Sequence, residues 1–122
     1  EWRTQKTVND LLTKYYTARP DGIPGNEDTG TMSAWAIFSM MGLYPDNPGD
    51  PSYTLTTPVF DKVTLHLDPK FYPQGDITIE TDRTSPSQLY IKSMTLGGKK
   101  LNGYRISHKQ LMEGKTLRMS LK

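Results

Sequence analysis

Seven residues, Pro45-Asp46-Asn47-Pro48-Gly49-Asp50-Pro51, constrain most strongly what this chain can fold into. Three prolines in seven positions remove backbone donors and fix φ, so neither a helix nor a central strand runs through them. Before them the hydrophobic period is helical; after them it is two. Val8, Leu11, Leu12, Tyr15 and Tyr16 recur at i, i+3, i+4, i+7 and i+8, predicting an amphipathic helix over about residues 4–19, ended by Pro20-Asp21-Gly22. Between Met32 and Met41 apolar residues surround the axis, which predicts a second helix buried between other elements, with Gly42 as its stop. One amphipathic neighbour cannot cover such a helix, so partner helices are expected from outside this chain.

Beyond the connector, Val63, Leu65 and Leu67 alternate with polar residues, as do Ile77 and Ile79, and residues 89–96 and 117–121 repeat the strand signal. Gly97-Gly98 predicts a two-residue hairpin turn. Residues 107–114 predict one short helical turn, capped by Ser107 and stopped at Gly114. The expected class is α+β: two N-terminal helices followed by an antiparallel β-sandwich-like unit, divided as residues 1–48 and 49–122.

The chemistry-bearing residues gather where the two helices meet. Gly25-Asn26-Glu27-Asp28-Thr29-Gly30 sets two adjacent carboxylates on a glycine-bounded turn that runs into the second helix. Unpaired N–H groups and the macrodipole at a helix entrance favour ionised carboxylates, which suit a general base better than a general acid. The plain alternative is that Asp28 or Thr29 only caps the helix. On the residues alone both readings stand. Asp21, Asn26 and Asp28 miss the EF-hand spacing, and the twelfth position from Asp21 is Met32 rather than Glu. His66 and His108 have no acidic partners at metal spacing and read as surface or satisfied residues. Without cysteine, disulfides and Cys-ligated zinc are excluded. A net charge of +2, with the late lysines alternating with apolar residues, describes a solvated sheet face and no nucleic-acid track. No apolar run approaches the ~20 residues of a membrane span.

The stretch Gly22-Ile23-Pro24-Gly25-Asn26-Glu27-Asp28-Thr29-Gly30-Thr31-Met32-Ser33-Ala34-Trp35, followed by Met41-Gly42-Leu43-Tyr44-Pro45 and Asn47-Pro48-Gly49, resembles the signature region of glycoside hydrolase family 92, the calcium-dependent exo-α-mannosidases. The likeness extends upstream to Trp2 and Thr4-Gln5, and downstream through Thr57-Pro58-Val59-Phe60-Asp61, Leu96-Gly97-Gly98-Lys99 and Ile106-Ser107-His108. It implies that residues 1–48 are the last helices and base loop of an (α/α)6 barrel, and residues 49–122 its C-terminal β domain. It further implies an inverting mannosidase acting on terminal, α-1,2-linked mannose, with Asp28 as general base and Glu27 supporting it. Asn26 and Trp35 would bind substrate, with Asn26 and Glu27 positioning water or sugar. The general acid, a glutamate, and most calcium ligands would come from earlier segments, leaving no complete metal site here. The implied partners are mannose-containing glycans, the rest of the parent chain and, for the isolated piece, a second copy. The implied location is periplasmic, secreted or cell-surface in the parent protein, although no charged-then-apolar leader follows Glu1 in this sequence.

Two rivals belong to other classes. One is a carbohydrate-binding module using Tyr53, Phe60, Phe71, Tyr72, Tyr90 and Tyr104; the other is a β domain that only braces the barrel. The scatter of those aromatics along the chain favours bracing over binding.

Overall fold

A computed structural model describes every residue from Glu1 to Lys122. Helix α1 spans Trp2–Tyr15 and α2 spans Thr31–Met41, with a single 3-10 turn at Asp28–Gly30 before α2. Strands β1 (Leu43–Tyr44) and β2 (Ser52–Leu55) follow, then β3 (Lys62–Leu65), β4 (Ile77–Thr81), β5 (Ile91–Leu96), β6 (Lys99–Leu101) and β7 (Arg105–Ser107). Helix α3 (His108–Gly114) and strand β8 (Thr116–Leu121) complete the chain. The class is α+β, as expected.

Helix α1 is shorter than its apolar stripe predicts. Tyr16 is extended, with φ −110° and ψ 125°, because the backbone beyond it closes on itself. Thr17 N–H donates to the Gly22 carbonyl at 2.9 Å and Gly22 N–H to the Arg19 carbonyl at 3.0 Å. Helix α2 starts one residue before the expected Met32 and ends at Met41 as expected, with Gly42 closing it at φ 85°. Within this chain, however, only Ala36 and Ser39 of α2 are buried, and Ile37 is 59% exposed.

The strands form two sheets, ordered β1-β2-β7 and β3-β4-β8-β5-β6. The second is mixed rather than wholly antiparallel: β4 and β8 run parallel, with Ile79 opposite Leu117 and Thr81 opposite Met119. The connection between them passes through β5, β6, β7 and α3, ample length for the crossover that a parallel pair needs. The predicted hairpin joins β5 to β6, with Gly97 and Gly98 both at positive φ. Ser107 caps α3 in a capping box with Gln110. The left-handed residue after α3 is Lys115, φ 62°, and not Gly114. Gly114 is needed for another reason: a Cβ there would run into the Leu96 side chain.

Ile77, Ile79, Leu117 and Met119, from the adjacent central strands β4 and β8, are at most 1% exposed and centre the core. Leu43 and Leu55 of the smaller sheet belong to the same cluster, and Phe38 and Met41 pack against it, so the end of α2 is seated on the β unit. Each such aliphatic side chain contributes about 1.5–3 kcal/mol by burial. The proline connector is pinned as well. Arg105 on β7 reaches Asp46 at 3.1 Å and Asp50 at 2.9 Å.

Gln5 ties α1 to the sheets. It is 3% exposed, and its Oε1 accepts the Ile91 N–H at 2.8 Å. The Thr57 hydroxyl lies 3.2 Å from the same oxygen and donates to the Leu89 carbonyl at 2.8 Å. Gln5→Leu leaves the Ile91 N–H buried without an acceptor, a cost of about 1–3 kcal/mol. The expected result is faster hydrogen exchange of the α1 amides; unchanged protection would show that apolar packing alone holds the helix.

Acid should loosen the five-stranded sheet. Ser120 Oγ donates to Asp82 at 2.7 Å and Leu121 N–H at 2.8 Å, and these bonds hold the Asp82 carboxyl below its usual range. Glu80 is held low first by its bond to Lys62 and further by Arg118. A depressed folded-state pKa gives stability that is present above the unfolded value and lost as pH falls through the folded one. Stability should therefore decline below about pH 4, and Asp82→Asn should flatten that decline in acid titrations followed by circular dichroism.

Candidate active site

The loop between α1 and α2 is built by local chemistry. Gly22 is buried, and any Cβ there would strike the Thr17 and Arg19 carbonyls. Pro24 lines an apolar groove of about 410 Å³ together with Leu11, Tyr15, Tyr16 and Trp35. Trp35 is half-buried, and Tyr16, released from the helix, stacks on it with ring centroids 5.5 Å apart and planes 28° off parallel. One face of Trp35 is therefore taken by Tyr16. Burial pushes the Tyr16 phenol up, and the Glu27 charge adds to the shift.

At the α2 entrance the backbone turns through two left-handed residues, Thr29 at φ 59° and Gly30 at φ 80°. For a β-branched residue such as Thr29 that conformation costs on the order of 1–2 kcal/mol. Glu27 holds the turn closed. Its carbonyl accepts from Gly30 N–H at 2.9 Å and Thr31 N–H at 3.1 Å. Its carboxylate accepts from the Ser33 N–H at 3.0 Å and the Ser33 hydroxyl at 2.8 Å.

This arrangement overturns the capping alternative. The residue at the N-cap position of α2 is Gly30, which has no side chain to offer, and neither Asp28 nor Thr29 caps. The Thr29 hydroxyl turns back to the Asp28 carbonyl at 2.6 Å. Only Glu27 uses the free N–H groups of the first turn, so the two carboxylates do not share the helix entrance as the sequence suggested. The Asp28 side chain is exposed and makes no hydrogen bond within the chain, and Asn26 is likewise exposed. Neighbours in sequence are thus divided: one carboxylate is spent on the fold and the other stands open. Ser33 and Tyr16 are the two site residues that the sequence reading missed.

The histidines lie elsewhere. His66 has an acidic partner after all, Asp76 at 2.8 Å, in an exposed pair on the surface. His108 Nδ1 lies 2.9 Å from the Tyr53 hydroxyl, with Tyr72 edge-on to its ring at 6.1 Å. No three His, Asp or Glu side chains come together to hold a metal ion. Calcium would therefore find no cluster of carboxylates to bind within this chain alone. The aromatics of the binding-module reading fall in separate places: Tyr53 and Tyr72 meet at His108, Phe71 is 67% exposed on a turn, and Tyr90 and Tyr104 line a groove beside Trp2 and Gln5.

Comparison with known proteins identifies relatives of the chain as a whole. The model of the glycosyl hydrolase family 92 catalytic domain matches residues 1–122. A protein of Arthroderma benhamiae named an uncharacterized secreted glycosidase is 33% identical over 116 residues, 95% of this chain and 15% of its own length. The structure of a family GH92 inverting mannosidase from Bacteroides thetaiotaomicron superposes with a TM-score of 0.84 at 34% identity, covering 99% of this chain and 16% of that one. A family GH92 α-mannosidase of the same bacterium, in complex with mannoimidazole, superposes with a TM-score of 0.87 at 30% identity, covering 99% and 15%. The chain thus spans about 15% of the length of the relatives it matches.

Proposed function

Because this chain belongs to glycosyl hydrolase family 92, we propose that it supplies the base side of an inverting exo-α-mannosidase whose remaining machinery lies in the rest of the parent protein. In this reading residues 1–48 are the closing helices and base loop of the barrel, and residues 49–122 are the β domain that braces them. The observation that carries it is the division of labour at the loop: Asp28 is an exposed carboxylate with no partner in the chain, beside a Glu27 already committed to Ser33.

Inversion requires a water between two carboxyl groups about 6.5–9.5 Å apart. Asp28 takes a proton from that water as its oxygen attacks the anomeric carbon, while an acid from another segment protonates the departing glycosidic oxygen. The bond to that oxygen breaks, and free mannose leaves with the opposite configuration. In the same proposal Asn26, an exposed amide two residues before Asp28, holds the water or a sugar hydroxyl, and Trp35 meets the sugar ring. Terminal α-linked mannose on glycans is the proposed substrate, with α-1,2 the proposed linkage. The secreted relative supports export of the parent protein. Calcium, proposed for the parent enzyme, would be held by residues outside this chain.

The exposed apolar residues Trp2, Leu11, Tyr15 and Ile37, which are 58%, 37%, 55% and 59% exposed, suit burial against the remainder of the barrel or, in the isolated chain, against a second copy. The test is the first-formed product of the full-length enzyme on an aryl α-mannoside, followed by NMR. β-Mannose appearing first is the expected result, with turnover abolished by a calcium chelator; α-mannose first would overturn the inverting assignment. The isolated 122-residue chain should give no turnover on the same substrate, since it lacks the acid and the positioning worth about 7–11 kcal/mol; measurable hydrolysis would overturn the reliance on distant residues.

A further inference from the structure

We propose that Ser33 and Glu27 form a positioning pair that aims the Asp28 carboxylate, and that Glu27 is not itself a reacting group. The inference rests on the reading of Asp28 as general base and adds what holds it in place. Within this chain the Asp28 side chain makes no hydrogen bond or ion pair, so what the chain itself contributes to its direction is the backbone on either side. Before it stands Glu27, whose two carboxylate oxygens accept from the N–H and the hydroxyl of one residue, Ser33. After it stands Thr29, held at φ 59° where a β-branched residue does not rest by choice.

Two bonds from one carboxylate to two donors of one residue close a ring and remove the rotation a single bond would leave. The charge also sits at the positive end of an eleven-residue helix. Ser33 is exposed, and the bond to Glu27 is the one hydrogen bond its hydroxyl makes in the chain. Without that hydroxyl one arm of the ring opens, Thr29 is free to relax towards the right-handed region, and Asp28 swings with it. A base displaced by a fraction of its hydrogen-bond length acts on a wrongly placed water, which lowers turnover without weakening sugar binding.

The test uses the full-length enzyme and an aryl α-mannoside, with circular dichroism and a thermal melt on each variant. Ser33→Ala is expected to lower kcat about 10- to 100-fold with KM within about twofold of wild type, and Ser33→Thr, which keeps both donors, to restore it. Glu27→Gln keeps the ring, because the serine hydroxyl can turn to accept from the amide; its kcat should stay within about tenfold of wild type. Asp28→Asn in the same series should lose far more. Wild-type kcat in Ser33→Ala, failure of Ser33→Thr to restore it, or Glu27→Gln as inactive as Asp28→Asn would each overturn the positioning pair while leaving the base assignment intact. Near-normal turnover in Asp28→Asn would overturn both.

Discussion

Asp28→Asn in the full-length enzyme is expected to lower kcat by about two to four orders of magnitude, the range for loss of a general base. Asparagine matches the carboxylate in shape and cannot take the proton from the attacking water. Nothing in the fold of this chain depends on the Asp28 charge, because its side chain is exposed and makes no hydrogen bond within the chain. The melting temperature should therefore stay within the change expected of an ordinary surface substitution, about 0.5 kcal/mol in stability. That separation of activity from stability distinguishes Asp28 from Glu27, whose loss opens the α2 entrance. A variant with near-normal kcat would show that the proton goes elsewhere.

Gly42→Ala is expected to have the largest effect on stability, about 2–5 kcal/mol. Two costs combine there. The left-handed backbone, φ 85°, disfavours any side chain by about 1–2 kcal/mol, and overpacking adds about 1–3 kcal/mol. A Cβ at this position would sit 2.6 Å from Pro58 Cγ and 2.8 Å from the Thr56 carbonyl oxygen. The segment cannot simply move aside, because Thr56 N–H donates to the Gly42 carbonyl at 2.9 Å and Val59 N–H to Met40 at 2.9 Å. Against a total stability of about 5–15 kcal/mol this is a large fraction. The midpoint of urea unfolding should fall clearly; a midpoint near wild type would show that the loop around Pro58 yields without penalty.

Features encoded within a few neighbouring residues were legible in the sequence. The span of α2, its stop at Gly42, the Gly97-Gly98 turn and the Ser107 cap all depend on local chemistry and were found where expected. The end of α1 was not, because Tyr15 and Tyr16 continue the apolar stripe equally well. Only the loop closed between Thr17 and Gly22, and the Trp35 face waiting for Tyr16, decide between them. The parallel pairing of β4 with β8 is set by a long crossover that leaves no mark on either strand. At the site, the carboxylate pair was visible but its division was not. Glu27 reaches Ser33 across six positions because Thr29 and Gly30 kink left-handed, and a cap is ordinarily sought three residues away. Gln5 was visible only through the resemblance, since nothing in an amphipathic helix announces a polar side chain directed at a strand amide far along the chain.

The place of β8 has a consequence for the order in which the molecule can assemble. The β3–β4 pair and the β5–β6 hairpin are local and can close as soon as each is made. They meet only through β8, which lies between β4 and β5 and follows both in sequence. During synthesis the larger sheet therefore stays in two halves, with Ile77, Ile79, Ile91 and Met94 uncovered, until the residues of β8 have left the ribosome. Exposed strand edges of that kind invite wrong pairing, and nonlocal closure is slow. Nascent chains stalled before Thr116 should accordingly leave β4 and β5 readily cut by protease, and emergence of β8 should protect both strands together.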